Sequence, residues 1–214
     1  LLLLTGFGVN ATPTAEVSTA TRSEGVAIGS AGFNEMLYKQ AEPDIFVTEQ
    51  QPDGSFLLTN KMQAVSAHIT PQGVQFDSIG NSAGKGGFGL QLVQWGRENT
   101  LLPTDSSNIY NNGDNVFHTH NGIVEKFSNG NDGIRQDFIV SKKPAGSGDL
   151  QVQLQVWGAK VEAKNNAAVI VLSSGRRLTY NRLRVTDSTG KAIPAQMLIA
   201  QNNVVSVLVD DATA

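Results

Sequence analysis

The stretch Asp132-Gly-Ile-Arg-Gln-Asp-Phe-Ile-Val-Ser-Lys-Lys-Pro-Ala-Gly-Ser-Gly-Asp-Leu-Gln-Val-Gln-Leu-Gln-Val-Trp-Gly158 reads as strand, polar loop, strand. An Asp-Gly turn opens it, and Ile134, Phe138 and Val140 give a β-rich apolar run. Pro144, Gly146, Ser147 and Gly148 break that run. Val152, Leu154 and Val156 then alternate strictly with Gln151, Gln153 and Gln155. A period of two sends three apolar side chains to one face of a strand and three amides to the other. The pattern predicts an antiparallel sheet with one buried and one wet face.

The same grammar extends in both directions. Short apolar-rich runs occupy 33–40, 44–50, 55–60, 62–69, 73–79 and 87–95. Further runs occupy 115–119, 123–128, 134–140, 149–157, 159–163, 167–173, 177–186, 191–199 and 203–209. Asp53-Gly54, Asn112-Gly113, Asn121-Gly122, Asn129-Gly130 and Asp132-Gly133 supply the positive-φ residues that tight hairpins need. No dozen-residue window carries a convincing helical stripe. The expected fold is all-β, an antiparallel β-sandwich built either as one large sandwich or as two packed sandwich-like layers, a super-sandwich. Residues 32–214 form that domain, after a Thr/Ser/Ala/Pro/Glu-rich flexible leader at 12–31. A subdomain boundary, if there is one, falls in the Asn/Ser/Asp-rich loop 99–114. Gln91-Leu-Val-Gln-Trp-Gly96 resembles Gln153-Leu-Gln-Val-Trp-Gly158. That likeness reads either as two related β-layers, each with a tryptophan plugging one end of the core, or as coincidence between two amphipathic strands.

Composition narrows the function. The chain has 214 residues, 16% of them charged, against a usual ~25%. It has no cysteine, which excludes a disulfide framework and thiol chemistry. The net charge of −3 argues against general nucleic-acid binding. Charge is uneven: residues 121–214 carry 11 basic and 8 acidic groups, and Arg176, Arg177, Arg182 and Arg184 cluster there. The cluster reads as a solvated strand face or as a polyanion contact. Leu1 to Leu4 with Phe7 and Val9, followed by Val9-Asn10-Ala11, read as the tail of a secretory signal at residues 1–11. The alternative is a buried N-terminal strand. The run is too short to span a bilayer, which takes ~20 residues, so no membrane span is expected. The missing Met suggests a fragment.

Candidate chemistry is sparse. His118 and His120 share a strand face and could ligate a metal, but the third ligand would have to be His68 or a carboxylate. Gly80-Asn-Ser-Ala-Gly-Lys-Gly-Gly-Phe-Gly89 is not a phosphate loop, because Gly84-Lys85 is followed by Gly86 and then by a strand. Asn129-Gly-Asn-Asp-Gly133 lacks the order of a calcium loop and reads as a turn. Asp210-Asp211 reads as a strand-end cap, and Ser141, Ser173 and Ser174 have no histidine in pattern. No cofactor is implied. The exposed amides are the most suggestive feature: Gln151, Gln153 and Gln155, with Gln91 and Gln94 from the similar segment. Together with Trp95, Trp157 and Tyr180 they have the makings of a carbohydrate surface.

Three segments carry a family resemblance. They are Gly122-Ile-Val-Glu-Lys-Phe127, then Gly133-Ile-Arg-Gln-Asp-Phe-Ile-Val140 with Pro144-Ala-Gly-Ser-Gly-Asp-Leu150, and then Leu178 to Ala195 followed by Val207-Leu-Val-Asp-Asp211. Residues 25–214 resemble the N-terminal β-rich domain of secreted bacterial surface proteins that carry FG-GAP, integrin-α-like β-propeller repeats. The resemblance implies a secreted or cell-surface location and a non-enzymatic structural or adhesion-associated module. It implies downstream β-propeller repeats of the same polypeptide as partner; a surface glycan or protein is a separate expected partner. It transfers no functional residue.

Overall fold

A computed structural model describes residues 2–11, 45–80, 83, 86–97 and 99–212. The leader expected at 12–31, the strand expected at 33–40 and the Gly84-Lys85 pair lie outside the described residues. Strand β1 (Leu2–Ala11) belongs to a first sheet. The chain then builds most of a second sheet from β2 (Phe46–Gln50), β3 (Phe56–Asn60), β4 (Val65–Thr70), β5 (Gly73–Ser78), β6 (Gly87–Arg97) and β7 (Thr100–Pro103). It returns to the first sheet with β8 (Ser106–Asn112), β9 (Asn115–His120), β10 (Ile123–Gly130) and β11 (Gly133–Val140). Strand β12 (Leu150–Trp157) goes back to the second. Five strands rejoin the first: β13 (Ala159–Ala163), β14 (Ala168–Leu172), β15 (Arg177–Asn181), β16 (Arg184–Thr186) and β17 (Ala192–Ile193). Strands β18 (Ala195–Ala200) and β19 (Val204–Val209) complete the second, with a 3-10 turn at Gln201–Asn203 between them.

The first sheet runs β13-β14-β15-β1-β11-β10-β9-β8, with β16 beside β1 and β17 beyond it. The second runs β18-β19-β12-β6-β5-β4-β3-β2, with β7 on the second half of β6. Every pairing is antiparallel, and neither sheet closes into a barrel. The all-β sandwich expected from the alternation is the fold. No described helix is long and apolar enough to cross a membrane.

The alternation sets the core. Val152, Leu154 and Val156 of β12 are fully buried, and so are Val205, Val207 and Val209 of β19. They join Phe56, Leu58, Ile69, Phe76 and Phe88 of the second sheet and Ile134, Phe138, Ile170 and Leu178 of the first in one apolar cluster. Each such side chain contributes about 1.5–3 kcal/mol by leaving water. Phe76 and Phe88 stack across β5 and β6 at 4.9 Å. Amides bolt the sheets together. Asn129 Nδ2 donates to Thr59 O at 2.7 Å, and Asn60 Nδ2 donates to Asn129 Oδ1 at 2.9 Å.

Leu2–Ala11, read as the tail of an export signal or as an N-terminal strand, forms strand β1, hydrogen-bonded to β11 on one side and to β15 and β16 on the other. Two expectations change. The loop expected at 99–114 contains β7 and β8, and it is where the chain passes from the second sheet to the first. The two similar Trp-Gly segments do not head two related layers. They end β6 and β12, which are antiparallel neighbours in one sheet.

Candidate functional site

The outer face of the second sheet is decided by one extra residue. In the β6–β12 pair, Leu90 faces Val156 and Leu92 faces Leu154, but Gln94 faces Gln153 and Trp95 faces Val152. Val93 is the additional residue, a bulge that reverses the side-chain alternation beyond it. Trp95 therefore turns inward and is 4% exposed. Its indole N–H donates to Asn121 O at 3.0 Å, closing the core at the β9–β10 turn. Trp157 meets no such bulge. It follows inward-facing Val156, so it points outward, and it is 41% exposed.

The Trp157 ring lies over a gap in the neighbouring strand. Its partner is Gly89, where a Cβ would sit 1.7 Å from the indole Cε2. Beyond Gly89 in the same row comes Gln75 of β5. The next outward row of β6 and β12 holds the facing pair Gln91 and Gln155. Gln155 Nε2 donates to Asn202 O at 2.8 Å and to Val156 O at 3.0 Å, which fixes its rotamer. Gln153 and Gln151 continue along β12, half-buried, opposite Gln94 and Gly96. An exposed indole beside fixed amides offers a flat apolar plate with hydrogen-bonding groups at its border. Of the residues read as a carbohydrate surface, Gln151, Gln153, Gln155 and Trp157 share this face. Trp95 and Tyr180 do not, because both are buried in the core.

The inner face of the first sheet holds a polar cluster. His118 and His120 alternate inward on β9, and the Asn121-Gly122 turn brings Glu125 opposite His118. His120 Nε2 lies 2.7 Å from Glu125 Oε1, and His118 Nδ1 lies 3.4 Å from the same oxygen. The three side chains are 4% exposed or less. The other carboxylate oxygen accepts from Gln136 Nε2, and Gln136 Oε1 accepts the Tyr180 hydroxyl at 2.8 Å. Burial alone would push the Glu125 carboxyl up, but the hydrogen bonds and charges of the two histidines hold it below its ordinary value. Burial, then the negative charges of Glu125 and Asp137, push the Tyr180 hydroxyl well above its usual range. The sequence pairs the histidines and leaves their third partner open between His68 and a carboxylate; that partner is Glu125. The signal was present: a two-residue Asn-Gly loop at 121–122 pairs 120 with 123, and so 118 with 125.

The remaining candidates resolve into structure. Ser55 Oγ contacts His68 Nε2 at 2.7 Å and Asp53 Oδ1 at 2.5 Å. The serine sits between base and acid, whereas a nucleophilic triad needs the imidazole in the middle. The arginine cluster disperses. Arg176 donates to Ala64 O and Gln63 O on the other sheet, Arg177 pairs with Glu162, and Arg182 pairs with Asp132. Asp211, expected as a strand-end cap, lies just past the end of β19 and is buried against Arg97. A shallow groove lined by Lys164, Asn165, Asn166, Arg177, Thr179 and Asn181 opens over β14 and β15, and its described lining holds no aromatic ring. The chain matches no protein-family model, and comparison with curated proteins and with solved structures finds no relative.

Proposed function

We propose that this domain is a non-catalytic recognition module of a secreted or cell-surface protein, and that it holds a surface glycan on the outer face of its second sheet. The observation that carries this is the Trp157 ring, exposed on a sheet face and seated over Gly89 beside Gln75, Gln91 and Gln155. A pyranose has an apolar C–H face and a rim of hydroxyls. The indole matches the first, and the amides match the second: the Gln155 and Gln75 side chains, whose Nε2 groups are already engaged, present their carbonyl oxygens as acceptors, and Gln91 lies beside them. A sheet is a rigid base for such a plate, so little order is lost on binding. Export and a structural or adhesive setting are supported by the resemblance to the β-rich heads of propeller-bearing surface proteins. The non-catalytic part is supported by the histidines: His118 and His120 face the core, and the hydroxyl beside His68 is ordered the wrong way for attack.

The test is a glycan array followed by fluorescence titration of the whole chain against the hits. A bound sugar should perturb Trp157 and leave Trp95 unchanged, because Trp95 is buried. Trp157→Ala should weaken binding tenfold or more and leave the melting temperature within a few degrees. An array without hits, or full binding by Trp157→Ala, would remove the proposal.

A further inference from the structure

The inner cluster of the first sheet has the parts of a metal centre. Two imidazoles and one carboxylate place one ligand atom each within 4.8 Å of one another. They come from one hairpin, β9–β10, whose register is set by a two-residue turn. The turn itself is held under Trp95. Zinc-class ions sit ~2.0–2.2 Å from histidine nitrogen and carboxylate oxygen. Two arms of that length at a tetrahedral angle end roughly 3.4 Å apart, and the His118 Nδ1 to Glu125 Oε1 separation is 3.4 Å. The His120 Nε2 contact, at 2.7 Å, is a hydrogen bond and would have to open by about 0.7 Å to admit an ion.

A further observation points the same way. Glu125 is oriented from behind: Gln136 binds its Oε2, and Tyr180 binds Gln136. That leaves Oε1 facing both imidazoles. Metal-ligating carboxylates characteristically have such an outer hydrogen-bonded shell, and here it spans β10, β11 and β15.

We propose that His118, His120 and Glu125 form a three-ligand site for a divalent transition ion of the zinc class, with Gln136 and Tyr180 orienting the carboxylate. The donor set selects the ion. Imidazole suits zinc, cobalt and nickel, and thiolates, which would draw softer ions, are absent from the chain. Calcium needs six or more oxygens, which two imidazoles cannot replace. Because the site lies in the core, the ion would be structural, cross-linking β9 to β10 within the hairpin.

The test is cobalt(II) titration of the full chain after stripping with a chelator, with circular dichroism to confirm that the apo chain is folded. One equivalent should produce the visible band of four-coordinate cobalt, with a water as fourth ligand beside the three side chains, and zinc should displace it. A 100-fold excess of zinc over the dissociation constant should raise the melting temperature by several degrees, as binding to the folded state alone requires. His120→Asn should abolish the band. Tyr180→Phe should keep the one-to-one stoichiometry and weaken affinity about 10–100-fold. A folded native chain that gives no cobalt band holds a metal-free hydrogen-bond network and overturns the proposal. An undiminished band in His120→Asn overturns it too.

Discussion

Trp95 and Trp157 both close a strand with Trp-Gly, yet one lies in the core and the other at the surface. The difference is Val93. Strict alternation is visible in Gln151 to Val156, but a bulge has no signature in a period-two pattern, so the inward turn of Trp95 was not legible. Gly89 is the residue that permits the surface arrangement. Its backbone carries no positive φ, so any penalty for a side chain there is steric. In Gly89→Ala the new methyl meets the Trp157 ring and lifts it from the sheet. The glycan affinity should fall at least tenfold and the Trp157 emission should shift toward that of a solvated indole. Stability should change by only about 1 kcal/mol, because the ring is already partly in water. Equal affinity in the variant would show that the seat over Gly89 plays no part in recognition.

At the scale of elements, turn chemistry made most strands legible. Gly113, Gly122 and Gly133 take positive φ at the hairpins where Asn-Gly or Asp-Gly announced them. Two expected runs proved divided: 177–186 breaks at Arg182, which takes a φ of 64°, and 191–199 breaks at Pro194. Strand β8 was hidden because Ser106–Asn112 is polar and lies at a sheet edge, where no alternating apolar set is required. Of the inner cluster, the two histidines were legible as neighbours on one strand. Gln136 and Tyr180 were not, because they reach Glu125 from β11 and β15, through tertiary packing that local patterns do not encode.

One ion pair ties several elements. Arg97, at the end of β6, pairs with Asp211, just past β19, and β12 runs between those two strands. The same guanidinium donates to Gly148 O at 3.1 Å in the loop that crosses between sheets. Burial raises the Asp211 carboxyl, but hydrogen bonds and charge from Arg97, then Lys143, outweigh it and hold it below its ordinary value. A carboxyl depressed in the folded state contributes stability that is present above its unfolded pKa and is lost as pH falls through the folded value. The melting temperature should therefore drop steadily as pH falls from ~5 toward the acid limit. Asp211→Asn should remove part of that slope. At neutral pH it should cost about 3–5 kcal/mol, because it leaves the Arg97 charge buried without its counter-ion. A variant as stable as the native chain at neutral pH would show that the carbonyl partners suffice.

At the scale of the molecule, β1 joins what would otherwise be two separate sheets. On one side of it lie β11, β10, β9 and β8; on the other lie β15, β14 and β13, with β16 and β17. Leu2 faces Val140 and Val9 faces Ile134 on one edge, and Val9 faces Tyr180 on the other. Every one of these contacts is distant in sequence, so closing the sheet requires long loops to be ordered first, and slow folding follows. A chain lacking residues 1–11 would present two unpaired edges, along β11 and along β15 and β16. Open edges template pairing with other chains. Such a chain should melt at lower temperature, bind hydrophobic dye and self-associate. A synthetic peptide of residues 2–11 added in excess should reverse all three effects, because a strand that binds only the folded state stabilises it by mass action. If the shortened chain melts as the native one does and binds no dye, the two halves of the first sheet hold together without β1. Rescue by the peptide but not by a version with the sequence scrambled would show that the slot reads side chains as well as backbone.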